Sequence, residues 1–144
     1  MSDVRIEDHS DEYMREVDAA LERAMEAIGI HLEGEAVEEL GNSPKRIDTG
    51  LLKNSITYAI DGHGAARSTY TADKGGESGN YGGTAPKENN GHSVMIGTNV
   101  EYGIYVHEGH TSPNGKTVAP NRFLKNAVER NKDQITNYIK NAMS

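Results

Sequence analysis

His107-Glu108-Gly109-His110 is the stretch whose residue types could hold a metal. Zinc peptidases set two histidines at i and i+4 on one helix, with a glutamate directly after the first. Here the spacing is i and i+3, and Gly109 is expected to end the helix between the two rings. No residue elsewhere is nominated as a third ligand. The expected role of His107 is a favourable cation near a helix C-terminus. Gly109 to Thr117 mimics a phosphate-binding loop, but five residues separate its glycines where the real loop has four. It also contains Pro113 and runs toward an expected strand, so its amides and Lys116 cannot converge on one phosphate.

Nucleophilic chemistry fares no better. The six histidines and many serines include no G-x-S-x-G elbow. His9, His63 and His92 fall in loops or near a terminus, and His31 sits on a long helix, where packing or solvation is the expected role. Glu101 and Glu108 flank a short helix about two turns, or ~10 Å, apart, which is too far to share a proton. No enzyme signature survives, and no catalytic residue, cofactor or metal is expected.

The elements that would position these residues can be read from periodicity. Met14, Val17, Leu21, Met25, Ile28, Leu32, Ala36 and Leu40 recur at three- and four-residue steps, predicting one amphipathic helix over about 11–40. Asp8 and Ser10 are candidate N-caps. Gly29 and Gly34 each cost about 1 kcal/mol relative to alanine, so a bend near Gly29 is an expectation. Gly41 and Pro44 end the helix. Asp48 or Thr49 then caps the amides that follow, and Gly50 supplies a conformation other residues avoid. Ile56, Tyr58 and Ile60 alternate as a half-buried strand. Further short strands are expected over 67–72, 93–97 and 116–119. The stretch 73–91 has no apolar period and is read as a loop, mobile or ordered by a partner. Thr98 or Asn99 is expected to cap a short helix carrying Tyr102, Tyr105 and Val106, with the tyrosines packed on Phe123 and Ile56. Pro120 is expected in the first turn of a C-terminal helix with the stripe Phe123, Leu124, Ala127, Val128, Ile135, Tyr138, Ile139 and Ala142, interrupted by Asn131 and Lys132.

The sum is an α+β chain of one domain. A long N-terminal helix and a C-terminal helix pack on one face of a small antiparallel sheet of about four strands. Residues 61–92 form a long loop within it. Composition narrows the function. The 144 residues carry a formal charge of −7, with one phenylalanine, no tryptophan and no cysteine. Thiolate metal sites and disulfides are excluded, and a basic nucleic-acid footprint is missing. No apolar run approaches the ~20 residues of a membrane span, and no signal-peptide pattern opens the chain, so a soluble protein is expected. Charge is segregated: residues 1–40 hold 13 acidic and 3 basic side chains, and residues 116–144 hold 2 acidic and 6 basic. Ends of opposite sign attract, within a chain or between copies.

Three segments carry a resemblance. The first is Asp48-Thr49-Gly50-Leu51-Leu52-Lys53-Asn54-Ser55-Ile56. The second runs Ile96-Gly97-Thr98, then Tyr102, Tyr105-Val106 and Gly109. The third is Pro120 with Phe123-Leu124. In this order, between two helices, they are similar to the motifs of a family of minor tail components of tailed bacteriophages. The resemblance spans roughly 14–142. It implies a structural virion protein, made in the bacterial cytoplasm, that forms a ring, expected as a hexamer, at the head-proximal end of the tail. Its partners would be itself, the tail tube or sheath, and head-connector proteins. No membrane and no sequence-specific nucleic acid is implied, although DNA would pass through the ring. Completion of the neck and termination of the tube are both compatible with it. Arg122, Lys125 and Arg130 are candidate interface residues toward the acidic helix of a neighbour. The loop 61–92 is longer than the family's. Rival classes are a small metal-binding hydrolase using His107 and His110, and a cytosolic adaptor.

Overall fold

The computed structural model describes residues 10–42, 44–88 and 92–144; the candidate cap Asp8 lies outside them. Helix α1 spans Ser10–Leu40, 31 residues or about 46 Å. It is unbroken through both glycines. The reason at Gly29 is a close approach, since a Cβ there would run into the Tyr58 ring. Glycine lets the ring lie directly on the helix backbone, and the surrounding hydrogen bonds keep the turn intact. Ala24, Met25, Ile28, Leu32, Ala36 and Leu40 form the buried stripe, as the periodicity requires.

After the helix, Gly50 adopts φ +88° and Thr49 Oγ1 accepts the Leu51 amide at 3.3 Å. This turn opens α2, Leu51–Ser55, which the sequence did not announce because five residues cannot display a helical period. Strand β1 (Thr57–Ile60) follows, then β2 (Thr69–Thr71), β3 (Ser78–Asn80) and β4 (Val94–Gly97). β1 pairs antiparallel with β4 in the register Tyr58↔Ile96 and Ile60↔Val94. That alternation puts those four side chains on one face, where Ile60, Val94 and Ile96 pack against α1. β2 pairs with β3, so the stretch read as a featureless loop contains a strand. β3 escaped notice because Ser78-Gly79-Asn80 has no apolar residue to alternate.

Helix α3 is Gly103–Glu108, β5 His110–Thr111 pairs with β6 Thr117–Val118, and the chain ends in α4 (Phe123–Arg130) and α5 (Lys132–Met143). The expected four-stranded sheet is instead three separate two-stranded ladders. The expected single C-terminal helix is broken at Asn131, whose side-chain amide donates to Ala127 O at 2.7 Å. Pro120 lies outside the helix, which begins at Phe123, because the Asn121 amide is held by Val106 O at 2.9 Å.

Two core clusters run along α1. Ala36 and Leu40 pack with Leu52, Ile56, Phe123 and Ala127. Ala24 to Leu32 pack with Ile60 and Val94 on one side and with Ile135 and Ile139 on the other. Phe123, the only phenylalanine, is fully buried. Tyr102 and Tyr105 do not join it as expected: they are 43% and 57% exposed. A six-residue helix buries one face only, and here that face carries Gly103 and Val106. Tyr102, Ile104 and Tyr105 are left outward.

Candidate functional site

The first two motif segments meet through a pair of hydroxyls. Ser55, fully buried at the end of α2, donates to Leu52 O at 2.6 Å and lies 2.5 Å from Thr98 Oγ1. The single serine proton is committed to the carbonyl, so Thr98 donates to Ser55. Thr98 Oγ1 in turn accepts the Val100 amide at 3.1 Å. It therefore caps the turn before α3 rather than α3 itself, whose N-cap is Tyr102 with no side-chain bond.

Around this pair the β2–β3 hairpin is bolted on. Tyr81 Oη donates to Ser55 O at 2.6 Å and accepts the Asn99 amide at 3.1 Å. Tyr70 Oη donates to Asn99 Oδ1 at 2.5 Å, and Asn99 Nδ2 donates to Asn80 O at 2.8 Å. Burial pushes both phenols above their ordinary pKa. On the rim, Asp73 accepts from Lys53 Nζ at 2.8 Å and from Asn54 Nδ2 at 2.9 Å. The Lys53 bond, then that of Asn54, holds the Asp73 carboxyl below the usual range. Asp48 is exposed and makes no part of this knot.

Second and third segments meet at His107. Its ring stands edge-on to Phe123 at 5.3 Å between centroids. The Lys125 amide donates to Nε2 at 3.3 Å, so the proton sits on Nδ1, which donates to Glu108 at 2.7 Å. His107 thus accepts one of the unpaired amides at the start of α4. The His107 hydrogen bond is also the largest influence holding the Glu108 carboxyl below its usual range. With both ring nitrogens engaged, the imidazole presents no free ligand lone pair. His110 packs its ring against Tyr105 instead, at 5.6 Å. Among the described residues no three His, Cys, Asp or Glu side chains are grouped to hold a metal.

The loop that mimics a phosphate site is the turn of the β5–β6 hairpin. Ser112 N–H donates to Lys116 O at 2.8 Å and Gly115 N–H to Ser112 O at 2.9 Å, so these two amides point inward to the turn and not to a ligand. Buried Ser55 has the Leu52 carbonyl and the Thr98 hydroxyl as its side-chain partners. The arrangement ties the motif segments to one another. It is a set of locks.

Of the three candidate interface cations, Arg130 is engaged within the chain: its guanidinium reaches both Glu39 carboxylate oxygens, at 2.6 and 2.8 Å. Arg122 and Lys125 remain exposed. Asn121, between Pro120 and Phe123, donates to Glu39 O and Pro44 O, both at 2.9 Å, tying the third segment to the end of α1. Asp73, Tyr81 and Asn121 were not singled out in the sequence, and Asn99 was read only as a candidate helix cap. Of the three that were missed, only Asn121 sits close enough to the motif segments to have been noticed. No helix among the described residues is long and apolar enough to cross a membrane. Comparison with protein-family models, with curated proteins and with solved structures found no match.

Proposed function

We propose that the chain is a structural subunit of a phage tail or phage-tail-like particle, forming a ring at the head-proximal end that joins tail tube to head connector. The reading rests on the three segments similar to minor tail components. The observation that supports it is their convergence: Ser55 meets Thr98, and His107 meets Phe123 and the start of α4. Residues spread over 48–124 thereby fix one framework rather than line a reactive cleft. That framework presents Tyr102, Ile104 and Tyr105 together on its surface. Contiguous exposed apolar and aromatic residues of this kind mark protein contacts. In this reading the chain works by assembly and not by catalysis.

The test is the mass of the purified protein by light scattering, alone and mixed with purified tail tubes. Expected is a closed ring, or a monomer that assembles only on tubes. A monomer indifferent to tubes overturns the proposal.

A further inference from the structure

Helix α1 runs past the body it helps to build. Its buried residues begin at Ala24, yet Met14 and Tyr13 continue the same apolar stripe nearly three turns earlier. They are 53% and 61% exposed. This arm, Ser10 to Arg23, carries five carboxylates against two arginines; near its base Asp18 meets His92 at 2.9 Å and Glu22 meets His63 at 3.0 Å, while Asp11 and Glu16 lie exposed farther out. A second apolar surface is also open. Between α1, β4 and the α4–α5 pair lies a groove of about 740 Å³, lined by Ile28, Met95, Leu124, Val128 and Ile139 among others. Among the described residues no carboxylate lines it, and Lys125 does. Val128 and Met95 are 36% and 54% exposed within it.

The arm cannot fill the groove of its own chain. Both belong to one unbroken helix, which holds Met14 about 16 Å along the axis from Met25 at the groove. The exposed outer part of the arm, with Tyr13, Met14, Asp11 and Glu16, and the open apolar groove edged by Lys125 are complementary in apolar character and in sign, and only another molecule can bring them together. We infer that the groove receives the arm of a second copy of this chain, with Tyr13 and Met14 against Met95, Leu124 and Val128, and with Asp11 and Glu16 beside Lys125. Arm and groove are different patches, so the contact is heterologous, and its repetition closes into a ring where the rotation allows. The ring proposed above is what gives this contact its place in an assembly; the contact itself stands on the two surfaces.

Two double variants test it. Tyr13→Glu with Met14→Glu spoils the arm, and Met95→Glu with Val128→Glu spoils the groove. All four positions are exposed, and unchanged helical circular dichroism verifies the fold. Sedimentation of the native chain is expected to show concentration-dependent association, weakened roughly 30-fold or more in either variant alone. An equimolar mixture of the two variants has one intact arm and one intact groove per pair. It is expected to form heterodimers and stop there. A native chain that stays monomeric, variants that associate as the native chain does, or a mixture that remains monomeric would each overturn the inference. Binding to tail tubes is scored separately. A monomer that binds tubes sinks this contact and leaves the tail reading intact, whereas arm–groove association that neither closes into a ring nor binds tubes does the reverse.

Discussion

At the scale of single residues, the two glycines of α1 make opposite demands. Glycine in a helix interior ordinarily costs about 1 kcal/mol relative to alanine. At Gly34 nothing lies within 4 Å of a built Cβ. Gly34→Ala is therefore expected to stabilise the protein, by up to about 1 kcal/mol in urea unfolding. At Gly29 the added methyl would meet the Tyr58 ring, so Gly29→Ala is expected to destabilise by about 1–3 kcal/mol, the range for overpacking. Equal effects at the two sites would show that the Tyr58 contact does not constrain the helix. The sequence named both glycines as weak points but could not rank them. The difference lies in a residue 29 positions away in the chain, and only the β1 register brings it into contact. The same holds for the hydroxyl pair. Ser55 and Thr98 were each visible as motif members, but their 2.5 Å contact depends on β1 pairing with β4.

Elements were legible in proportion to their length. The 31-residue stripe of α1 gave its bounds within a residue of those observed, and Leu124, Val128, Ile135 and Ile139 placed the C-terminal pair. The five residues of α2 and the two of β5 fall below any period. α4 and α5 read as one helix interrupted at Asn131, because one of the two bonds that fix the break there comes from α1, a hundred residues away. The Asn131 Nδ2 is committed to Ala127 O, so Oδ1 accepts from His31 Nε2 at 2.9 Å. The α1–α4 contact carries its own prediction. Glu39 is buried while the Arg130 side chain is 61% exposed, so their bond sits between a screened surface pair and a dry one. Arg130→Ala is expected to cost about 1–2 kcal/mol, with roughly half of that lost from the native protein in molar salt. A salt-independent loss would place the effect in packing of the arginine stem rather than in charge.

For the whole molecule, the shifted groups set both ends of the pH range. Asp73 and Glu108 have carboxyl pKa values lowered in the fold. Their stabilisation is complete above the unfolded carboxylate range near 4 and is lost as pH falls through the lower folded values. Both are exposed, so the acid effect is small and is expected to fade in salt. Tyr58, Tyr70 and Tyr81 have phenols raised chiefly by burial. Above about pH 10 the unfolded chain ionises first, so stability falls as pH rises further. Urea midpoints across pH are expected to drop beyond about pH 10. Substituting Tyr81 by phenylalanine is expected to flatten that alkaline drop. An unaltered alkaline slope would remove Tyr81 from the account.

The order of the elements along the chain matters during synthesis. The stripe of α1 from Met25 to Leu40 closes against α4 and α5, whose residues are made about a hundred positions later. At the usual pace of translation that gap lasts about 5–20 s. Until α4 and α5 arrive, the part of the stripe that they cover stays open to chaperones and to the same face of any other nascent chain nearby, even once β1 and β4 have been made.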